Sequence, residues 1–148
     1  MNLKMKKRLG FTLTELVIVI VIIGILAAVL LPGLTKFINK AKVSATTQEA
    51  EVYRQWLMTG LMEQDQITAK VGGENQNVKI QSYDAYVTSS NTYIPDVKGY
   101  LTAKCGSFPA SAAISCYSEN DLHYINYGNR GFFVHLCIET NEVVEVVS

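Results

Sequence analysis

Arg8-Leu9-Gly10-Phe11-Thr12-Leu13-Thr14-Glu15, followed by the uncharged run Leu16–Leu31 and by Pro32-Gly33-Leu34, decides how this chain is built. Phe11 to Leu31 is 21 residues. As a helix that stretch covers about 31 Å at ~1.5 Å per residue, close to the ~30 Å hydrocarbon thickness of a bilayer. Its one charge is Glu15. A lone carboxylate in hydrocarbon is costly, so it asks for a partner and a purpose. Lys4, Lys6, Lys7 and Arg8 precede Gly10 with no acid among them, which reads as the cytoplasmic flank of a membrane segment. A secretory signal would end its apolar core in a small-residue cleavage motif followed by polar chain. Here Ala27-Ala28-Val29-Leu30-Leu31-Pro32 continues apolar. A plain one-pass anchor accounts for the length but has no use for Glu15 or for Gly10-Phe11 beside the basic stretch.

A short basic leader, Gly-Phe, and a glutamate five positions after Gly10 resemble the prepilins of type IV pili and of the related type II secretion and competence systems. The resemblance covers roughly the first fifty residues. It implies a leader, residues 1–10, removed by a membrane prepilin peptidase between Gly10 and Phe11, with Phe11 then N-methylated. It also implies a homopolymer built by an assembly platform and an ATPase-driven machine. The precursor would sit in the inner or cytoplasmic membrane and the product would be an extracellular pilus filament serving adhesion, twitching motility or DNA uptake. Glu15 would be the assembly residue. Cleavage gives Phe11 a free amine, which Glu15 of an axially shifted neighbour can neutralise. In a low-dielectric setting such a pair is strong and either partner alone is penalised, so only the correct stagger relieves both charges. Thr14 stands where the family more often has an aliphatic residue, and it can bond its own helix backbone. Two alternatives stay open: a pseudopilin of a secretion or competence system, and a membrane-anchored binding domain that never polymerises.

Residues 11–34 are thus the membrane or filament-core helix, and residues 35–63 read as its amphipathic continuation. Phe37, Ile38, Ala41, Ala45, Val52, Trp56 and Leu57 recur at steps of three, four or seven, with Gln48 in the gap, a stripe that needs a sheet to cover it. Phe11 to about Glu63 would be one helix of roughly 80 Å. Pro32 lacks a backbone donor and predicts a kink or local opening, and Gly24 weakens the same stretch. The resemblance implies that the segment between them melts on assembly.

Residues 64–148 form the head. Gly72–Asn77 reads as loop, and strands are expected over Val78–Gln81, Tyr83–Thr88, Leu122–Tyr127, Phe132–Glu139 and Glu142–Val147. Thr140-Asn141 would join the last two as a hairpin. Phe132, Val134, Leu136 and Ile138 make the face that covers the helix; Ser89–Asn120, with Pro95 and Pro109, reads as surface loop. The expected fold class is therefore α+β: a long N-terminal helix packed against a C-terminal antiparallel sheet, as in pilins.

Thirteen basic and thirteen acidic side chains cancel. Losing the four basic leader residues leaves −4, which gives no electrostatic reason for non-specific nucleic-acid binding. Cys105, Cys116 and Cys137 allow one disulfide in an oxidising setting. Cys105–Cys116 closes the shortest loop, and Cys137 is the alternative partner. His135 and Cys137 alternate on one strand face and, with Cys105, Cys116 or His123, invite a metal reading, but paired Cys-x-x-Cys spacing is absent. The same residues lack the arrangement that activates a nucleophile. Asp84, Asp96 and Asp121 make no calcium loop, and the eight tyrosines suit strand packing. No cofactor, metal site or enzyme is expected.

Overall fold

The computed structural model describes residues 10–87 and 93–147. Residues 1–9 of the expected leader, Thr88 of the expected fourth-from-last strand and part of the expected loop lie outside the described residues. Two compact units divide between Lys40 and Ala41, and helix α1, Leu13–Glu63, contributes to both.

In the first unit α1 has no partner among the described residues. Its large apolar side chains from Leu16 to Leu31 are each 43–75% exposed on every side of the helix. A helix apolar all round is stable only in hydrocarbon or among other apolar surfaces. The helical conformation passes Gly24 and Pro32 without a break, although the ladder lacks the Pro32 donor, and Thr35 Oγ1 donates to the Pro32 carbonyl at 3.1 Å. No melted segment separates the two residues in the single chain.

In the second unit two antiparallel sheets cover the distal half of α1. Strands β1 (Gln66–Val71), β2 (Glu74–Lys79) and β3 (Tyr93–Pro95) form one sheet in the order β2-β1-β3. Strands β4 (Ala113–Glu119), β5 (Leu122–Asn129), β6 (Phe132–Cys137) and β7 (Val143–Val147) form the other, in that order. Helix α2, Val97–Cys105, follows β3; its Asp96 N-cap accepts from the Gly99 N–H at 2.8 Å. Three hairpins turn through residue pairs at positive φ: Gly72-Gly73, Asn120-Asp121 and Arg130-Gly131. Those turns match the right-handed twist of the strands they join. Every residue of β7 is exposed.

The buried stripe of α1 is Thr46, Ala50, Tyr53, Leu57 and Gly60. It packs into a core with Ile125 and Tyr127 of β5, Val134 and Leu136 of β6, and Ile138. The Tyr53 ring centroid lies 4.9 Å from that of Phe108 and 5.1 Å from that of Tyr127. Gly60 permits the closest approach, because a Cβ there would collide with the hydroxyls of Tyr100 and Tyr86. Tyr86 uses this notch to donate to the Leu57 carbonyl at 2.9 Å.

Several sequence expectations need correction. The buried stripe shares only Leu57 with the expected one; Phe37, Ile38 and Val52 are exposed. At Gly60 packing selects the smallest residue because Tyr86 and Tyr100 reach the helix there, while the larger Phe37, Ile38 and Val52 mark the uncovered face. Gly72–Asn77 is the turn and second strand of a hairpin, not loop. Tyr83–Tyr86 is a 3-10 turn rather than strand. Ser89–Asn120 contains β3, α2 and β4. The β6–β7 connection is longer than Thr140-Asn141 alone: Cys137 N–H bonds the Glu142 carbonyl at 2.9 Å. Within β6, Val134 and Leu136 do face the core, as does Ile138 beyond it.

Candidate functional site: the start of the long helix and its cap

Gly10, Phe11 and Thr12 precede α1 in non-helical chain. Phe11 is 80% exposed, and nothing lies within 4 Å of a Cβ built at Gly10. The Gly10–Phe11 bond is therefore open to an enzyme and outside the helical ladder. Thr12 caps the helix. Its N–H donates to Glu15 Oε2 at 2.9 Å, its hydroxyl donates to the same oxygen at 2.7 Å, and its Oγ1 accepts from the Glu15 N–H at 3.2 Å. This is a capping box, Thr-x-x-Glu, which satisfies donors that every helix start leaves orphaned. Sequence reading missed it, although Thr12-Leu13-Thr14-Glu15 carries the signal. Phe11 and Leu16 occupy the two positions at which a hydrophobic staple forms. The carboxylate thus serves its own helix through Oε2. Among the described residues, Oε1 has no hydrogen-bond partner.

Gly24 and Gly33 meet nothing within 4 Å, so packing inside the chain does not require a glycine at either. The head is fastened to α1 by polar groups that sequence reading also missed. Glu49 accepts from the Tyr127 hydroxyl at 2.7 Å, Asn129 Nδ2 at 2.8 Å and Arg130 at 2.7 Å. The Arg130 guanidinium, opposed by partial burial and helped by Asn129 and Tyr127, holds the Glu49 carboxyl down to about 2. Arg54 Nε donates to the Ile138 carbonyl at 2.7 Å. Below the Gly60 notch, Asp65 accepts from Tyr100 at 3.0 Å and pairs with Lys104 at 2.5 Å.

All three cysteines are free thiols, so the expected Cys105–Cys116 bridge is not formed in the structure. Cys116 is opposite Ile125, whereas Cys137 is opposite Tyr124. Adjacent residues of β5 point to opposite faces, so Cys116 and Cys137 lie on opposite sides of one sheet. Burial pushes the Cys116 thiol up to about 12. Among the described residues no group of three or more His, Cys, Asp or Glu side chains is placed to hold a metal ion. His135 lies beside Tyr117, whose hydroxyl is 3.4 Å from Nδ1.

The prokaryotic N-terminal methylation motif matches residues 5–31. The chain is 41% identical over 71 residues to the type IV major pilin protein PilE of Neisseria gonorrhoeae, covering 45% of this chain and 42% of the relative. It is 39% identical over 106 residues to the type IV major pilin protein PilE1 of the same organism, covering 66% of this chain and 53% of the relative. These matches support a type IV pilin family. The chain spans about half the length of the curated relatives it matches, and no solved structure matches it significantly. The long helix against antiparallel strands is the pilin-like α+β arrangement. With the methylation motif and the apolar helix, these relatives fit a membrane-anchored precursor and an extracellular pilus.

Proposed function

We propose that this chain is a structural pilin subunit, cleaved after Gly10, N-methylated at Phe11 and polymerised into a type IV pilus. One observation carries the reading. An exposed, non-helical Gly10–Phe11 bond stands one residue before a capped helix whose apolar surface has no partner among the described residues. Cleavage there leaves Thr12 and its capping box intact. The new Phe11 amine then sits next to the cap, and Glu15 keeps Oε1 for the amine of a neighbouring subunit. Helix–helix packing of Leu13 and Leu16–Leu31 supplies the filament core, with opening between Gly24 and Pro32 as copies pack. Residues 35–63 carry residues 64–148 on the filament surface, where the loops would serve adhesion, motility or DNA uptake. The partners are further copies, a prepilin peptidase and an ATPase-driven platform; the role is not enzymatic.

Mass spectrometry of protein sheared from cells tests this directly. A chain starting at methylated Phe11 supports the reading, and one retaining Met1 overturns it. Glu15→Ala should leave cleavage largely intact while abolishing or sharply reducing filaments. Normal filaments from that variant would remove the register role. Surface filaments that vanish on deletion, with secretion of other proteins unchanged, separate a pilin from a pseudopilin.

A further inference from the structure

His123, near the start of β5, faces a carboxylate at each ring nitrogen. Nδ1 is 2.7 Å from Glu139 Oε1 and Nε2 is 3.0 Å from Asp84 Oδ1. Glu139 lies in the connection between β6 and β7, and Asp84 lies in the 3-10 turn Tyr83–Tyr86. Ionised carboxylates only accept hydrogen bonds, so both nitrogens must donate, and only the imidazolium has two N–H groups. The ring is held in place on several sides. The His123 N–H donates to both Glu139 oxygens at 3.2 and 3.1 Å. The His123 carbonyl accepts from the Ile138 N–H at 2.7 Å. The Tyr83 ring lies 5.6 Å away.

We infer that His123 is a pH-operated fastener: as imidazolium it ties the 3-10 turn to the sheet, and on deprotonation it lets Asp84 go.

The asymmetry of the two contacts says which side opens. The His123 and Glu139 side chains are 13% and 28% exposed, whereas that of Asp84 is 75% exposed. A neutral ring keeps Nδ1–H on the shorter, more sheltered contact and turns the Nε2 lone pair toward Asp84. Those two acceptors then repel. Tyr86 stays anchored through its hydroxyl on the Leu57 carbonyl, and Val87 stays bridged to Cys116. Opening is therefore confined to the Ser82–Asp84 side of the turn.

The surrounding charges favour the closed form at low pH. Glu119, the last residue of β4, and Asp121, from the β4–β5 turn, line the same polar basin as Asp84, Ser118, Asn120 and His123. From β6, Cys137 Sγ donates to Glu139 Oε2 at 3.5 Å. From α1, Arg54 is spent on the Ile138 carbonyl. Burial lowers the affinity of His123 for its proton, but the bonds to Asp84 and Glu139 outweigh it and leave the net shift upward. A histidine raised by folding stabilises fully below its unfolded value of 6.5 and loses that contribution as pH rises through its folded value. The fastener is closed in mildly acidic surroundings and releases toward alkaline pH, whether or not the chain polymerises.

The test uses the full chain in detergent micelles, comparing wild type with Asp84→Asn and His123→Gln. Amide hydrogen exchange over residues 80–87, corrected for the intrinsic pH effect, should rise roughly two- to fivefold between about pH 5.5 and 8.5 in wild type, the scale of one exposed ion pair. Exchange in Leu57 and its neighbours should hold steady. Asp84→Asn should show the faster exchange at every pH and a His123 NMR titration displaced to lower pH than wild type. Should His123→Gln unfold, the mild surface change at Asp84 still decides. Exchange independent of pH in wild type, or a His123 titration unmoved by Asp84→Asn, would overturn the inference.

Discussion

Replacing Glu49 by Gln keeps the side-chain shape and removes the charge on which three donors converge. An ordinary glutamate titrates at 4.5, and folding holds Glu49 at about 2, a difference that corresponds to about 3 kcal/mol as a ceiling. The Arg130 and Glu49 side chains are 40% and 28% exposed, so solvent screens that arm to about 1 kcal/mol or less. Tyr127 and Asn129 are buried and both donate to Oε2, a place the glutamine carbonyl oxygen can take, so they keep an acceptor and lose only its charge, about 1 kcal/mol between them. Glu49→Gln should therefore lose about 2 kcal/mol at neutral pH, which is roughly ten degrees in Tm for a head of this size. Trp56, the one tryptophan, is partly buried against the core and reports unfolding by fluorescence in detergent micelles. The sign with pH is fixed. Folding depresses this carboxyl, so its contribution is complete above 4.5 and drains as pH falls through about 2. Wild type and Glu49→Gln should converge toward that limit. Equal midpoints at neutral pH, or a gap that persists undiminished to about pH 2, would refute the network's role.

Gly60→Ala places a methyl on the Tyr100 and Tyr86 hydroxyls and should cost about 1–3 kcal/mol; Gly24→Ala, with open space around it, should leave the head's melting unchanged. Thiol labelling of the native chain should modify Cys105, which is only partly buried, well before Cys116, whose burial holds it protonated up to about 12; equal rates would contradict the core packing. Thr12→Ala removes the cap and should weaken the start of α1 by about 1 kcal/mol, read as faster amide exchange in residues 12–16 with the head unaffected.

The sequence exposed the N-terminal half of this fold because its physics is one-dimensional. Charge position, apolar run and helix length need no tertiary partner to be read. The phase of the amphipathic half was hidden for the opposite reason. Gly60 is buried because Tyr86 and Tyr100 reach the helix there, Thr46 because its hydroxyl meets the Asn129 carbonyl of β5, and nothing local announces either partner. The outward Phe37, Ile38 and Val52 formed a more hydrophobic stripe on the wrong side. Hairpin turns are readable in part: Gly72-Gly73 marks a break in the chain but not the strand that starts at Glu74, whereas Arg130-Gly131 shows itself only once β5 and β6 are paired. At the candidate site, Gly10, Phe11 and Glu15 came from pattern. The Thr12 contact to Glu15 is equally legible in Thr-x-x-Glu, because a capping box is a local pattern. The Glu49 and His123 clusters join residues 81 and 39 positions apart at their widest, a separation at which composition carries no information.

The bare sheath of α1 has a logistic consequence. With thirteen large aliphatic side chains between Leu16 and Leu31 all uncovered, this rod tolerates lipid tails or other apolar surfaces, not water. On the proposed reading, transfer from one to the other has to be a direct hand-over with no aqueous interval, so the place where a copy would leave the bilayer must also be the place where it would meet the next one.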